Sequence, residues 1–214
     1  MEAARARTQR LNRAEKKART REDIVAAARR VFLARGFHAA SLDEIADAAG
    51  YTKGAVYSNF AGKDDLFLAV LDERYEARTA MYRSLVPRQR SSEATWRAVA
   101  RFMLQAYEDE PTWWPLVSEF TSHAADDPSL RERLRAARDR FIDAVAELIE
   151  AVGERHGLEF TLPPREIARG SGALLRGMVL EWRVDPGAMQ PAAFEEMHAA
   201  YMRGLTFPGE RSQE

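Results

Sequence analysis

The segment from Thr52 to Phe67 concentrates side chains suited to contacting a polyanion. Lys53 and Lys63 lie near its two ends and could bind phosphate oxygens, and Gly54 has no side chain that would keep a nucleic-acid backbone away. Four further side chains could form hydrogen bonds with base edges or phosphates: Thr52, Tyr57, Ser58 and Asn59. This combination predicts contact with double-stranded DNA.

Motifs typical of enzymes or metal sites are weak elsewhere in the chain. Glu195 and His198 have the spacing found in di-iron bundles, but no second copy exists, so we interpret them as helix surface. Glu119 and His123 supply only two potential ligands. The run GSGALLRG from Gly170 has no strand before it, which favours close helix packing over a dinucleotide site. We therefore predict no enzyme, no metal site and no cofactor.

Composition limits the class of protein further. The chain has 214 residues, of which 46% are hydrophobic, and it contains no cysteine. Disulfides, thiolate zinc sites and cysteine nucleophiles are thereby excluded, which is typical of a reducing compartment. The first residues lack the apolar centre of a signal peptide, and no window approaches the roughly 18 apolar residues of a membrane helix. We expect a soluble cytoplasmic protein without membrane contact.

Charge is distributed unevenly along the chain. Residues 1–65 contain 13 Lys and Arg against 9 Asp and Glu, whereas the remainder contains 19 against 24. A basic N-terminal part suggests that this part meets a polyanion, although a solvated basic face is an alternative explanation.

Helical signals dominate the N-terminal third. Thr20 begins a capping pattern ahead of a first helix that Gly36 ends. Ser41 begins a second short helix that ends at Gly50, and residues 53–59 form a third. Two short helices joined by a tight turn form the unit that places its second helix in the DNA major groove. The alternative is a small helical bundle whose short helices only support a core.

The rest of the chain also follows helical periodicity, and no run alternates with the period of a strand. We therefore predict an all-α fold. Longer helices are expected at residues 63–83, 93–108, 114–123, 128–152, 165–183 and 191–205.

Residues 20 to about 71 resemble the DNA-binding domain of the TetR family of transcriptional repressors. The resemblance rests on "ARGF" followed by "SLDEIADAAGYTKGAVYSNFAGKDDLF". The positions that match the family pattern are Ser41, Ile45, Ala46, Ala49, Gly50, Lys53, Gly54, Tyr57, Phe60, Lys63 and Leu66. It implies phosphate or base contacts by Ser41, Lys53, Gly54, Tyr57, Ser58, Asn59 and Lys63. Asn59 stands where the family often has histidine, and Ser58 replaces a frequent aromatic residue.

The resemblance also implies a helical ligand-binding domain whose last two helices pair with those of a second subunit. Small residues in the run 170–177 permit the close helix approach that such a homodimer needs. The bulky residues expected at this interface are Leu174, Met178, Trp182, Phe194, Met197 and Tyr201. A dimer would place its recognition helices about 34 to 36 Å apart on a palindromic operator. Ordinary monomer core is the alternative for these residues.

Aromatic residues of the central helices suggest a cavity for an apolar or aromatic effector. The candidates are Trp96, Met103, Tyr107, Trp113, Trp114, Phe120 and Phe141. Plain core packing is an alternative for each of them. Trp113 and Trp114 are the stronger candidates, because adjacent residues of a short helix cannot point the same way.

The sequence thus predicts four regions: a basic arm at 1–19, a helix-turn-helix domain at 20–66, an effector-binding and dimerisation domain at 67–207, and a tail at 208–214. The arm either contacts the minor groove or the phosphates of DNA, or it is a solubilising tail. We expect a dimeric, sequence-specific transcriptional regulator, a repressor that an effector releases from its operator. The alternative is a helical small-molecule-binding or enzymatic bundle that never binds DNA.

Overall fold

The computed structural model describes residues 13–185, 187 and 190–209. This part of the chain is almost entirely helical, which confirms the predicted all-α fold. Its helices are α1 (Arg13–Arg35), α2 (Leu42–Ala49), α3 (Lys53–Asn59), α4 (Lys63–Leu85), α5 (Ser92–Asp109), α6 (Trp113–Ala125), α7 (Pro128–His156), α8 (Pro164–Val184) and α9 (Pro191–Gly204). None of these helices combines the length and apolar character that crossing a membrane requires. Residues 1–12 of the predicted arm and the tail beyond Gly209 lie outside the described residues.

The predicted start of the first helix is wrong. Helix α1 begins at Arg13, and Thr20 lies inside it instead of capping it. Residues 13–19 are Arg, Ala, Glu and Lys, all strong helix formers, so nothing interrupts the helix before the hydroxyl residue. Part of the segment that the sequence assigned to a basic arm is therefore the first two turns of α1.

The chain divides into two compact units, residues 1–70 and residues 71–214, with the division inside α4. The core of the first unit is formed by buried side chains of α1, α2, α3 and the start of α4. Phe32, Phe37 and Phe67 contact one another there, with ring centroids 5.3 to 5.9 Å apart. Helices α5 to α9 form the core of the second unit together with the later turns of α4.

The second unit contains a short antiparallel sheet that was not predicted from the sequence. Strand β1 (Leu158–Phe160) pairs with strand β2 (Thr206–Pro208), and Glu159 lies opposite Phe207. Three residues are too few to show the alternation by which strands are recognised. Helix α7 also continues to His156, four residues beyond its predicted end at residue 152.

Candidate functional sites

Local hydrogen bonds fix the turn between α2 and α3. Ser41 and Glu44 form the predicted capping box: the Glu44 amide donates to Ser41 Oγ at 3.2 Å, and the Ser41 amide donates to Glu44 Oε2 at 3.1 Å. The bond that the Ser41 amide donates to the carboxylate is the main reason that the pKa of Glu44 is lowered. Gly50 ends α2 with φ of 73°, a conformation that favours glycine.

Helix α3 has the bounds that the sequence predicts. Thr52 caps it by accepting a hydrogen bond from the Ala55 amide at 3.2 Å. Val56 and Phe60 are buried and hold the helix on the core. The hydroxyl of Tyr51 donates to Asp23 on α1 at 2.8 Å, so the turn is also tied to the first helix.

The outer face of α3 carries exposed groups with hydrogen-bonding capacity. The Tyr57 side chain is 52% exposed, although its ring is large and apolar. Lys53 is exposed and lies 2.8 Å from Asp43 of α2, and the hydrogen bond to that carboxylate raises the pKa of Lys53. The ammonium group is therefore positioned at the start of the helix and remains charged.

Contacts within the described part of the chain do not require glycine at position 54. A methyl group at this position would meet only Thr52 Oγ1, at an ordinary contact distance of 3.8 Å. Alanine would also favour the helix more strongly than glycine does. No contact within the described part of the chain therefore explains the glycine at this exposed position.

The remaining candidates for DNA contact are engaged in local bonds. Ser58 Oγ and Asn59 Nδ2 each donate to the Ala55 carbonyl at 2.8 Å. Lys63 Nζ donates to the carbonyls of His38 and Ala40 at 3.1 Å and lies over the Phe37 ring. The structure thus brings Lys53, Gly54, Tyr57 and Ser58 together on the exposed side of α3, whereas Ser41, Thr52 and Lys63 fix the backbone that supports them.

The second unit contains an apolar cavity of about 70 Å³ between α4, α5, α7, α8 and α9. Three of the seven predicted effector residues line it: Trp96, Met103 and Phe141. The other four lie outside its lining. Tyr107 stacks on Trp182, Trp113 lies beneath Arg74, Trp114 lies beneath Arg78, and Phe120 is buried on α6.

Ser171 and His198 supply polar groups to the cavity wall, and sequence reasoning missed both. Ser171 Oγ and His198 Nε2 lie 2.7 Å apart, and the His198 side chain is only 1% exposed. Burial lowers the pKa of His198 to about 4, so the imidazole is neutral near pH 7. The interpretation of His198 as helix surface is therefore wrong. The i, i+4 relation of His198 to the buried Phe194 was the available signal.

The six predicted interface residues occupy different environments within one chain. Met178 and Phe194 are buried in the core of the second unit, and Leu174, Trp182 and Tyr201 are partly buried. The Tyr201 hydroxyl donates to the Ile167 carbonyl at 3.2 Å and lies so close to Gly170 that a side chain there would collide with it. Met197 is exposed. The small residue Gly170 thus serves packing of α8 on α9.

Two exposed stripes of small and apolar residues run along the last two helices. Leu180 is 64% exposed and Val184 is 82% exposed, on the same face of α8 as Ala173 and Gly177. The corresponding stripe of α9, with the same i, i+4, i+7 and i+11 spacing, is Ala193, Met197, Ala200 and Gly204.

Among the described residues, no three His, Asp or Glu side chains are grouped so that they could hold a metal ion.

Models of known protein families match both the N-terminal and the C-terminal part of the chain. Residues 24–70 match the model of bacterial regulatory proteins of the tetR family, and residues 92–206 match that of the BetI-type transcriptional repressor C-terminal region. The transcriptional activator FasR of Mycolicibacterium smegmatis is 30% identical over 60% of this chain. The regulator SrpR of Pseudomonas putida is 34% identical over 61% of it. These matches span 58% and 59% of the two relatives' own lengths.

Solved structures share the fold. A TetR-family regulator from Mesorhizobium loti superimposes with a TM-score of 0.70 at 24% identity, covering 88% of this chain and 96% of the other. FadR from Bacillus halodurans has a TM-score of 0.68 at 19% identity, covering 86% and 95%. The second family match alone covers more than half of the 214 residues. The chain therefore belongs to the tetR family of bacterial regulatory proteins, with a C-terminal region of the BetI type.

Proposed function

We propose that the protein is a dimeric transcriptional repressor that binds a palindromic operator and is released from it by a small, largely apolar effector. The observation that carries the DNA-binding half of this proposal is the capped α3, which presents Lys53, Gly54 and Tyr57 on an exposed face. Helices of this kind insert into the major groove, with side chains at their N-terminal end contacting bases or phosphates.

Selection from a randomised duplex library, at a stated salt concentration, tests DNA recognition. We expect a palindrome to be recovered. Tyr57→Ala should abolish binding to it while leaving the fold intact, because the side chain is half exposed. Tyr51→Phe, which loses only the bond to Asp23 in the turn, is the control and should still bind. Recovery of no motif, together with weak binding that salt removes, would contradict the proposal.

The dimer is supported by the exposed stripes of α8 and α9. Large apolar side chains that remain exposed on adjacent helices mark an interaction surface. A second copy would cover Leu180, Val184 and Met197, while Gly177 and the alanines permit close backbone approach. This interface differs from the one predicted from the sequence, since only Met197 is common to both.

The cavity supports the effector half of the proposal. Its lining is largely apolar, with Ser171 and His198 as polar groups. At about 70 Å³ it is smaller than the roughly 150 Å³ of an engineered cavity that binds benzene. An effector must therefore displace side chains or helices as it enters, and such displacement gives the filled and empty forms different conformations.

Titration of effector against the protein, alone and bound to operator, tests this coupling. A ligand that favours the conformation without DNA should bind the operator complex more weakly, by the same factor by which it weakens DNA binding. Candidate effectors can be screened by the quenching of tryptophan fluorescence, with Trp96→Phe as the comparison that isolates the contribution of the cavity wall. Equal affinity of an effector for the free protein and the operator complex would contradict release by that effector.

A further inference from the structure

Arg78 of α4 is a buried cation without an anionic partner. Its side chain is 7% exposed, and neither Nε nor Nη2 has a hydrogen-bond partner among the described residues. The guanidinium group lies over the Trp114 ring, 5.5 Å from its centroid. A cation–π contact offsets only a small part of the free energy lost when a charge leaves water.

The carboxylates nearby are committed to other arginines. Glu110 pairs with Arg74, one turn before Arg78 on α4. Asp72 accepts two hydrogen bonds from Arg140, at 2.7 and 2.9 Å. Neither acid is therefore available to neutralise Arg78.

Two further guanidinium groups add to the positive charge of this region. Arg138 and Arg176 act, together with Arg78, on the Tyr75 hydroxyl, and each opposes the rise that burial causes in the pKa of Tyr75. The pKa of Arg176 is itself lowered, first by desolvation and then by the charge of Arg138. No ion pair to any of these three arginines exists within the described part of the chain. The cluster is therefore an unneutralised positive site.

Aromatic side chains connect this positive site to the apolar cavity. Tyr75, Arg78 and Tyr82 lie on one face of α4 at i, i+3 and i+7. Tyr82 lines the cavity directly, and Tyr75 stacks on the cavity residue Phe141 with a centroid separation of 4.5 Å. Trp114, beneath Arg78, packs against the same core cluster as Tyr82 and Phe141.

We infer that Arg78 anchors the carboxylate of an amphipathic organic acid whose apolar part occupies the adjacent cavity. The inference deepens the proposed effector function and rests on it. A carboxylate would accept charge-assisted hydrogen bonds from the free Nε and Nη2 groups, in the paired geometry that guanidinium and carboxylate favour. The positive charge of Arg138 and Arg176 would add attraction.

The test compares octanoate with octanol, which share an apolar chain and differ in the charged group. Calorimetric titration of the full-length protein should show tighter binding of octanoate. Arg78→Met should weaken octanoate binding by about tenfold or more, the scale of losing a charge-assisted contact, and leave octanol binding unchanged. Arg83→Met is the matched control on the same helix, since Arg83 is exposed and faces Glu147 at 3.8 Å. Arg78→Gln provides a second variant that keeps hydrogen-bonding capacity without charge.

The outcomes distinguish failure of the Arg78 anchor from failure of the effector cavity. Equal binding of octanoate and octanol to the wild type would overturn the role of Arg78 and leave the apolar effector cavity in place. An octanoate preference that survives both Arg78 variants would also overturn it. Binding of neither probe would count against the anchor and the effector cavity together.

Discussion

At the scale of single residues, the positions to which we assign a function by proposal are ones whose chemistry the fold does not require. A side chain would fit at position 54, where the chain has glycine. Among the described residues, Arg78 is buried without a carboxylate partner, and His198 is a buried imidazole in the apolar cavity wall. Ser41, Gly50 and Thr52 are different, because caps and backbone conformation account for each of them. Within the described part of the chain, Gly54 and Arg78 thus lack the internal contacts that account for Ser41, Gly50 and Thr52.

Gly54→Ala should separate folding from DNA binding. The added methyl group has room, and alanine should leave stability unchanged or raise it by up to about 1 kcal/mol. Operator affinity should nevertheless fall, because the methyl group would lie where a DNA backbone approaches. Thermal unfolding and fluorescence anisotropy with labelled operator measure the two effects. Gly62→Ala, also next to open space, is the control. Undiminished operator binding by Gly54→Ala would remove Gly54 from the interface.

His198 should make the stability of the second unit sensitive to acid. Its pKa falls from 6.5 to about 4 on folding, so the unfolded chain binds more protons between these values. Stability contributed by the neutral imidazole is complete above about pH 6.5 and is lost as the pH falls towards 4, by roughly 3 kcal/mol in total.

Denaturant unfolding between pH 4 and 7, followed by tryptophan fluorescence, checks this dependence. His198→Gln should flatten the slope, whereas Met202→Leu, in the same cavity wall, should keep it. An equally steep loss of stability in His198→Gln would assign the acid sensitivity to other groups.

At the scale of elements, local signals predicted helices α2 and α3 well. The caps of α2 and α3 involve residues within four positions of one another, so the pattern contains all that is needed. The start of α1 was predicted wrongly, because helix-forming residues before Thr20 continue the helix through a capping pattern. Strands β1 and β2 pair across 46 to 50 residues and have no local signal.

The residues that line the cavity were harder to predict than the helices. Helical periodicity identifies which side chains face inward, but it does not identify which of them border a void. Trp96 and Phe141 line the cavity, whereas Phe120 fills the core near α6. That difference depends on how helices distant in sequence pack together, so the sequence left plain core as an open alternative for each residue.

Helix α2 should respond to loss of its cap independently of the second unit. Ser41→Ala removes the acceptor for the Glu44 amide and should cost about 1 kcal/mol, so α2 amides should exchange hydrogen about fivefold faster. Ser91→Ala is a matched change, since Ser91 caps α5 through the Ala94 amide at 3.2 Å. Each variant should accelerate exchange in its own helix alone. Unchanged exchange in α2 would show that the cap contributes little there.

At the scale of the whole molecule, the chain forms two compact units. The match to the tetR-family model lies in the first unit, and the match to the C-terminal region of BetI-type repressors lies in the second. In the function proposed above, two copies bind one operator through the exposed stripes of α8 and α9, because a single α3 would contact only one half-site.

Leu180→Asp should therefore produce a monomer. A carboxylate in the middle of the stripe would be buried without a partner in the dimer, at a cost of several kcal/mol. Analytical ultracentrifugation should show the change, and operator affinity should fall because two half-sites are no longer bound together. Met81→Asp replaces an exposed apolar residue on α4 and should leave the dimer intact. Persistence of the dimer in Leu180→Asp would place the interface elsewhere.

The small volume of the cavity has a consequence for kinetics. If entry requires prior opening of a space of only about 70 Å³, the observed rate of effector association should level off at high effector concentration. The plateau would equal the rate at which the second unit opens. The delay between the arrival of an effector and the release of DNA would then be set by the protein's own opening motion, however abundant the effector becomes.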